Sequence, residues 1–194
     1  VGECYSCVRN NHCELQNLAA EYGITELSFR RKNLTQKIES NHPIIRDMDK
    51  CILCRRCIRT CLDLQNVGVY SVHGRSTESS IDTYKCSPME ETNCINCGQC
   101  INRCPTGALS ERDDTESIWS ALNDPNKYVI IQTAPAPRAG IGELFGLEAG
   151  TPLTGELTAA LKKIGFNKVF DTCLTADLTI LEEGTELLNR IISN

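Results

Sequence analysis

Two runs of four cysteines dominate this chain: Cys51, Cys54, Cys57 and Cys61, then Cys94, Cys97, Cys100 and Cys104, the second followed directly by Pro105. Both have the spacing Cys-x2-Cys-x2-Cys-x3-Cys, so one local structure is built twice. Three thiolates two residues apart, on a loop that wraps a cube, can reach three iron corners of a 4Fe-4S cluster; the fourth corner has to be filled from elsewhere. Zinc is the alternative, but it normally takes Cys-x2-Cys pairs separated by longer loops rather than four evenly spaced thiols. The pattern points to electron transfer.

A length of 194 residues suits one ordinary domain or two small ones. Aromatic residues make up only 5%, so the front half has to be held by something other than a large apolar core. Thirteen cysteines would suit a disulfide scaffold in a short secreted protein, but an odd number cannot all pair and no apolar signal segment opens the sequence. Metal ligands in a reducing cytoplasm are the better reading. No apolar stretch approaches the ~20 residues that span a bilayer, so no membrane span is expected. The formal charge of -5 offers no basic surface, so no nucleic-acid partner is expected either.

The sequence divides into three parts. Residues 1–42 carry Cys4, Cys7 and Cys13, then Leu15, Leu18, Ala19 and Tyr22 at helical spacing with Gly23 as a stop. Residues 43–111 hold the cysteine repeat, with short strand-like flanks such as Val67 to Tyr70, and the repetition implies half-sites related by a two-fold axis. In residues 112–194 the cysteines nearly stop. Tyr128 to Gln132 reads as a buried strand closed by a constrained loop at Ala134, Pro135, Ala136 and Pro137. Leu157, Ala160, Leu161 and Ile164 mark a helix stopped by Gly165, Val169 and Phe170 a second strand, and Leu178, Leu181, Leu188 and Ile192 the apolar side of a last helix. Strand, helix, strand, helix predicts a parallel α/β unit, with its site in the loops beyond the strand ends at Ala134–Pro137 and Asp171–Thr175. The fold class expected for the whole is α+β followed by α/β.

Cys4, Cys7 and Cys13 are one donor short of a closed site. Three sources of a fourth can be weighed: His12, although neighbours such as His12 and Cys13 seldom point at one metal; Cys86, folding back from afar; or a residue preceding Val1. Glu183 and Glu186, three apart on the last helix, share a face suited to a carboxylate relay, while a solvated acidic face is the plainer account. Cys173 reads as a small core residue. His42 and His73 fall in turn-like segments and are assigned no role.

The repeated cysteine runs resemble the signature of bacterial two-cluster ferredoxins. That resemblance implies crossed ligation, with Cys51, Cys54, Cys57 and Cys104 on one 4Fe-4S cluster and Cys94, Cys97, Cys100 and Cys61 on the other. Cys4, Cys7 and Cys13, followed by the helix start Glu14-Leu15-Gln16 and the two runs, are similar to the accessory region of iron-only hydrogenases and to the large subunit of respiratory NADH dehydrogenase. In both, a histidine four residues ahead of the first cysteine completes a third 4Fe-4S site. The matching position lies just before Val1, so the chain is expected to be a fragment. The segments Gln132 to Arg138, Gly140 to Phe145, Gly165 to Thr172 and Ala176 to Glu186 resemble, in order and spacing, the start of the iron-only hydrogenase catalytic domain.

The resemblance implies three parts: a small cluster segment ligated by one histidine and three cysteines, a two-cluster ferredoxin-like domain, and the beginning of a parallel α/β hydrogenase domain. It implies three 4Fe-4S clusters, and in the complete protein an H-cluster, a 4Fe-4S cube bridged to a two-iron unit. The cysteines for the H-cluster are expected beyond Asn194. Ala134, Pro135 and Ala136 match the loop beside the two-iron unit, and Glu183 and Glu186 match the family's proton-pathway glutamates. At Cys173 the family more often has asparagine. The activity implied is reversible oxidation of hydrogen in the cytoplasm, with ferredoxin or other NAD(P)- or formate-linked redox subunits as partners in a multi-subunit complex. Two rivals are an electron-wiring subunit of an NADH- or formate-linked complex and a non-catalytic, hydrogenase-like iron-sulfur assembly protein.

Overall fold

The computed structural model describes residues 4–26 and 42–193. Residues 27–41, which end the first predicted segment, lie outside the described residues. The chain forms two compact units, 1–113 and 114–194.

In the first unit a loop carrying Cys4, Cys7 and Cys13 leads into helix α1, Glu14–Glu21, and Gly23 takes φ +61° where the helix stops. Gln16 ties loop to helix: it accepts from the Asn11 N–H at 2.9 Å and donates to Asn10 Oδ1 at 2.9 Å. Four short strands follow: β1 Ile44–Arg46, β2 Tyr70–His73, β3 Ser80–Thr83 and β4 Leu109–Glu111. β1 pairs antiparallel with β4, and β2 with β3. Each cysteine run sits between the two strands of its own half and carries a one-turn helix, α2 Arg56–Arg59 or α3 Gln99–Asn102. Exchanging the halves converts one strand pair into the other, which is the two-fold relation expected from the repeat. Val67 to Val69 are not strand, because Gly68 at φ +75° breaks the extended run and β2 begins only at Tyr70. Ile44, Val69, Tyr70, Ile81, Met89, Cys100 and Leu109 form the small core. Cysteines pack around that core, which accounts for a stable unit with so few aromatic residues.

The second unit begins with helix α4, Thr115–Leu122. β5 Ile130–Thr133 and β6 Lys168–Asp171 then pair in parallel, Ile130 opposite Lys168 and Thr133 opposite Asp171. Helices α5 Pro135–Gly140 and α6 Thr154–Ile164 connect them, and α7 Thr172–Ile192 leaves from the end of β6. Gly165 closes α6 at φ +125°. Two expectations are corrected. β5 is not buried: Ile130 is 53% exposed, because the sheet has two strands and helices cover only part of it. Ala134–Pro137 is not a loop, since Pro135 opens α5 at its first position, where a proline's missing N–H costs no helical bond. Similarly, Thr172–Thr175 is the first turn of α7. Among the described residues no helix is long and apolar enough to cross a membrane.

Candidate metal centres

The two cysteine loops have the same backbone. Leu53 and Arg55 in the first, and Asn96 and Gly98 in the second, all take φ between +56° and +69°. These left-handed residues curl the loop so that its amides face inward, and the Leu53 N–H reaches Cys51 Sγ at 3.4 Å. A cavity in the first half is lined by Cys51, Cys54 and Cys57, and also by Cys104 from the far end of the second run. Its counterpart is lined by Cys94, Cys97 and Cys100, and by Cys61 from the first run. The structure thus brings the eight sulfurs together in two groups of four, each drawing one member from the opposite run. Tyr70 lines both cavities.

Both cavities have mostly apolar linings, and this shows in the thiols. Burial pushes the Cys57 thiol up to about 12, and the neighbouring thiols Cys51, Cys54 and Cys104 add to the rise. Burial likewise raises Cys51, Cys94 and Cys100. Four thiolates would not gather in such a place alone; positive iron would reverse the balance and release the protons. Groups able to stabilise thiolate sulfur are already in position. Val69 N–H donates to Cys61 Sγ at 3.3 Å, and the buried Tyr70 hydroxyl lies 3.8 Å from Cys100 Sγ. Four sulfurs per cavity, an apolar lining and N–H donors fit a 4Fe-4S cluster in each.

Cys4, Cys7 and Cys13 line a third cavity together with His12. Ile52, Pro105 and Thr106 form part of its wall and also part of the wall of the Cys51 cavity, so the two sites back onto one another. Gly107 is where this loop docks: it takes φ +70°, and a Cβ there would meet Val8 Cγ1 at 2.9 Å. Of the proposed fourth donors, His12 lines the cavity, whereas Cys86 sits beside His73, 3.8 Å from its Nδ1. His42 is buried, and its Nδ1 accepts the Ile44 N–H at 3.1 Å, a structural role that sequence reading missed.

In the second unit, Ala134, Pro135 and Ala136 are exposed where β5 passes into α5. Glu183 and Glu186 are exposed on α7, and Glu186 is ion-paired with Arg190 one turn on. Cys173 is exposed rather than part of a core, with Sγ 3.8 Å from Arg138 Nη1. Its exposure follows from its place in the first turn of α7, past the strand end. Arg138 also pairs with Asp171 at 2.5 Å, and the Asp171 side chain caps α7 by accepting the Cys173 N–H at 2.9 Å. The Cys173 amide and the Arg138 guanidinium both hold the Asp171 carboxyl below its ordinary range. The sequence pointed to the Asp171–Thr175 segment but not to its pairing with Arg138, because the members of the cluster lie on three separate elements.

Comparison with known proteins bears on both units. Residues 127–194 match the C-terminal domain of the iron only hydrogenase large subunit, and residues 50–108 match the 4Fe-4S dicluster domain. The chain is 44% identical over 190 residues to the NADP-reducing hydrogenase subunit HndD of Solidesulfovibrio fructosivorans, covering 97% of this chain and 32% of that protein. The chain belongs to the iron-only hydrogenase large-subunit family. It is also 39% identical over 199 residues to iron hydrogenase 1 of Clostridium pasteurianum, covering 99% of this chain and 34% of that one. A periplasmic Fe hydrogenase large subunit from Nitratidesulfovibrio vulgaris is 34% identical over 154 residues, 63% of this chain and 37% of its own length. The chain therefore spans about a third of the length of these relatives. Residues 2–28 match the iron-sulfur binding region of NADH-ubiquinone oxidoreductase-G, so this front segment has counterparts outside the hydrogenases.

Proposed function

We propose that this chain is the electron-relay region and the opening of the catalytic domain of an iron-only hydrogenase that interconverts hydrogen with protons and electrons. The observation that carries the reading is the join of two cavities, each lined by four cysteines, to a segment matching the hydrogenase large subunit at 127–194. Bound 4Fe-4S clusters supply one-electron chemistry, and an H-cluster in the complete protein supplies the hydrogen chemistry. The residues have separate tasks. Cys51, Cys54, Cys57 and Cys104 hold one cluster; Cys61, Cys94, Cys97 and Cys100 hold the second. Cys4, Cys7 and Cys13 hold a third. Ile52, Pro105 and Thr106 separate the third site from the first and Tyr70 stands between the first and second, so each step of the relay is one wall thick. Ala134, Pro135 and Ala136 shape the surroundings of the H-cluster, and Glu183 and Glu186 pass protons.

On this reading residues 1–42 and 43–111 are the accessory cluster domains, and 112–194 begins the catalytic domain. The partner is a ferredoxin or an NADP-linked redox subunit in a cytoplasmic complex; the relative named as a subunit of an NADP-reducing hydrogenase supports the latter. The match at residues 2–28 also favours an electron-wiring subunit of an NADH-linked complex, but that reading leaves the match at 127–194 unused. Hydrogen evolution by the full-length protein with a saturating reductant, alongside an infrared spectrum, tests the proposal. Carbonyl and cyanide bands and turnover are expected, with turnover strongly reduced in Glu183→Gln and Glu186→Gln at unchanged iron content. Wild-type protein with full iron but neither bands nor turnover would leave the wiring-subunit reading in place.

A further inference from the structure

One ion pair in the first unit has its arginine buried at the wall of a cysteine cavity. Arg46 on β1 is 3% exposed, and its Nη1 lies 2.8 Å from Oδ1 of Asp82 on β3, whose side chain is 22% exposed. Arg46 also lines the cavity of Cys51, Cys54, Cys57 and Cys104, whereas Asp82 does not. Of the pair, Arg46 is the member at the cavity of the sulfurs, and Asp82 stands nearer solvent, where water weakens its field. As a staple between β1 and β3 such a pair has little advantage, because buried ion pairs rarely repay their desolvation and an apolar pair serves as well. Among the described residues that line the second cavity none is an arginine; its polar side chains are Gln65, Gln99 and Tyr70, whose hydroxyl lies 3.8 Å from Cys100 Sγ. The two cavities share a ligand set and differ in charge.

We infer that Arg46, oriented by Asp82, is a positioning residue that raises the reduction potential of the cluster held by Cys51, Cys54, Cys57 and Cys104. The inference rests on the proposal that this cavity holds a 4Fe-4S cluster. A reduced cluster carries one more negative charge than the oxidised one, so a fixed cation in low dielectric favours the reduced form. Asp82 supplies position: it fixes the guanidinium while standing back from the cavity. The consequence is a relay whose neighbouring sites, alike in ligands, differ in potential.

The test is a reductive titration of the full chain, loaded with iron and sulfide and followed by electron paramagnetic resonance. Arg46→Met should move one of the reduction steps downward, lowering its reduced-to-oxidised ratio about tenfold at fixed potential, or about 59 mV for one electron. Asp82→Asn removes the negative charge of the pair and should move the same step upward. The double variant should fall between them, and Arg46→Lys should stay near wild type. Both single variants break the same bridge, so a mere staple cannot give opposite signs. Shifts of the same sign, or none at full iron content, would overturn the inference. If Arg46→Met takes up no iron, Asp82→Asn and Arg46→Lys still decide it: a rise in the first with no shift in the second supports it, and a fall or no change in the first refutes it. A wild-type chain without a 4Fe-4S spectrum would instead refute the cluster reading itself.

Discussion

Asp171 caps α7 through the Cys173 amide and pairs with Arg138, and the ionised carboxylate strengthens both interactions. Its pKa is held below the ordinary 3.8, so its contribution to stability is complete above that value and disappears as pH falls through the lower folded value. Asp171→Asn should therefore lower the thermal midpoint of the second unit at pH 5 to 7, and the gap from wild type should close below about pH 4. Circular dichroism melts across that range check the prediction; a gap independent of pH would mean that the amide caps as well as the carboxylate. The contrast with Cys173, in the first turn of the same helix, shows what was legible at this scale. The grouping of the eleven motif cysteines around three cavities was readable because their spacing is a local property of the chain. Whether Cys173 faces a core or solvent depends on packing between elements, which one residue's identity does not encode.

At the level of elements, the two ligand loops are near copies that differ at the residue before the helix. Gly98 takes φ +69° without strain, while Arg55 takes φ +61° with a side chain that disfavours it. Left-handed backbone costs a non-glycine residue roughly 1–2 kcal/mol, partly offset by the entropy glycine loses on folding. Arg55→Gly should thus raise the midpoint for thermal loss of the cluster by a few degrees, and Gly98→Ala should lower it. Visible absorbance during heating provides the measurement, and a fall in Arg55→Gly would show that the arginine side chain contributes more than its backbone costs. Two helix ends were legible for the same kind of reason: Gly23 and Gly165 stop α1 and α6 where the apolar spacing ends, whereas α4 was not foreseen. The start of α5 was not, because prolines that end a strand and prolines that open a helix look alike until the neighbouring backbone is known.

Across the whole molecule, the pairing of β1 with β4 closes the first unit on itself, so neither cavity belongs to one half of the repeat. Removing a fourth cysteine should therefore harm the cluster of the opposite run. In Cys104→Ser, alkylation mapped by mass spectrometry should find Cys51, Cys54 and Cys57 newly reactive, while Cys61, Cys94, Cys97 and Cys100 stay protected. New reactivity at Cys94, Cys97 and Cys100 instead would mean that each run serves its own cluster. The repeat was plain in the sequence. The wall shared by the Cys4 and Cys51 cavities was not, because it is built from Ile52, Pro105 and Thr106, ordinary residues brought together only by folding.

On the proposed ligation, the exchange of cysteines between halves also sets a timetable for making the protein. Cys104 follows Cys51, Cys54 and Cys57 out of the ribosome about fifty residues later, a delay of roughly 3–10 s at 5–20 residues per second. During that interval the nascent chain presents bare thiols that have no complete site to join. Iron delivered early would find only partial coordination, so cluster insertion belongs after translation has passed both runs, and the cell has to keep those thiols reduced while it waits.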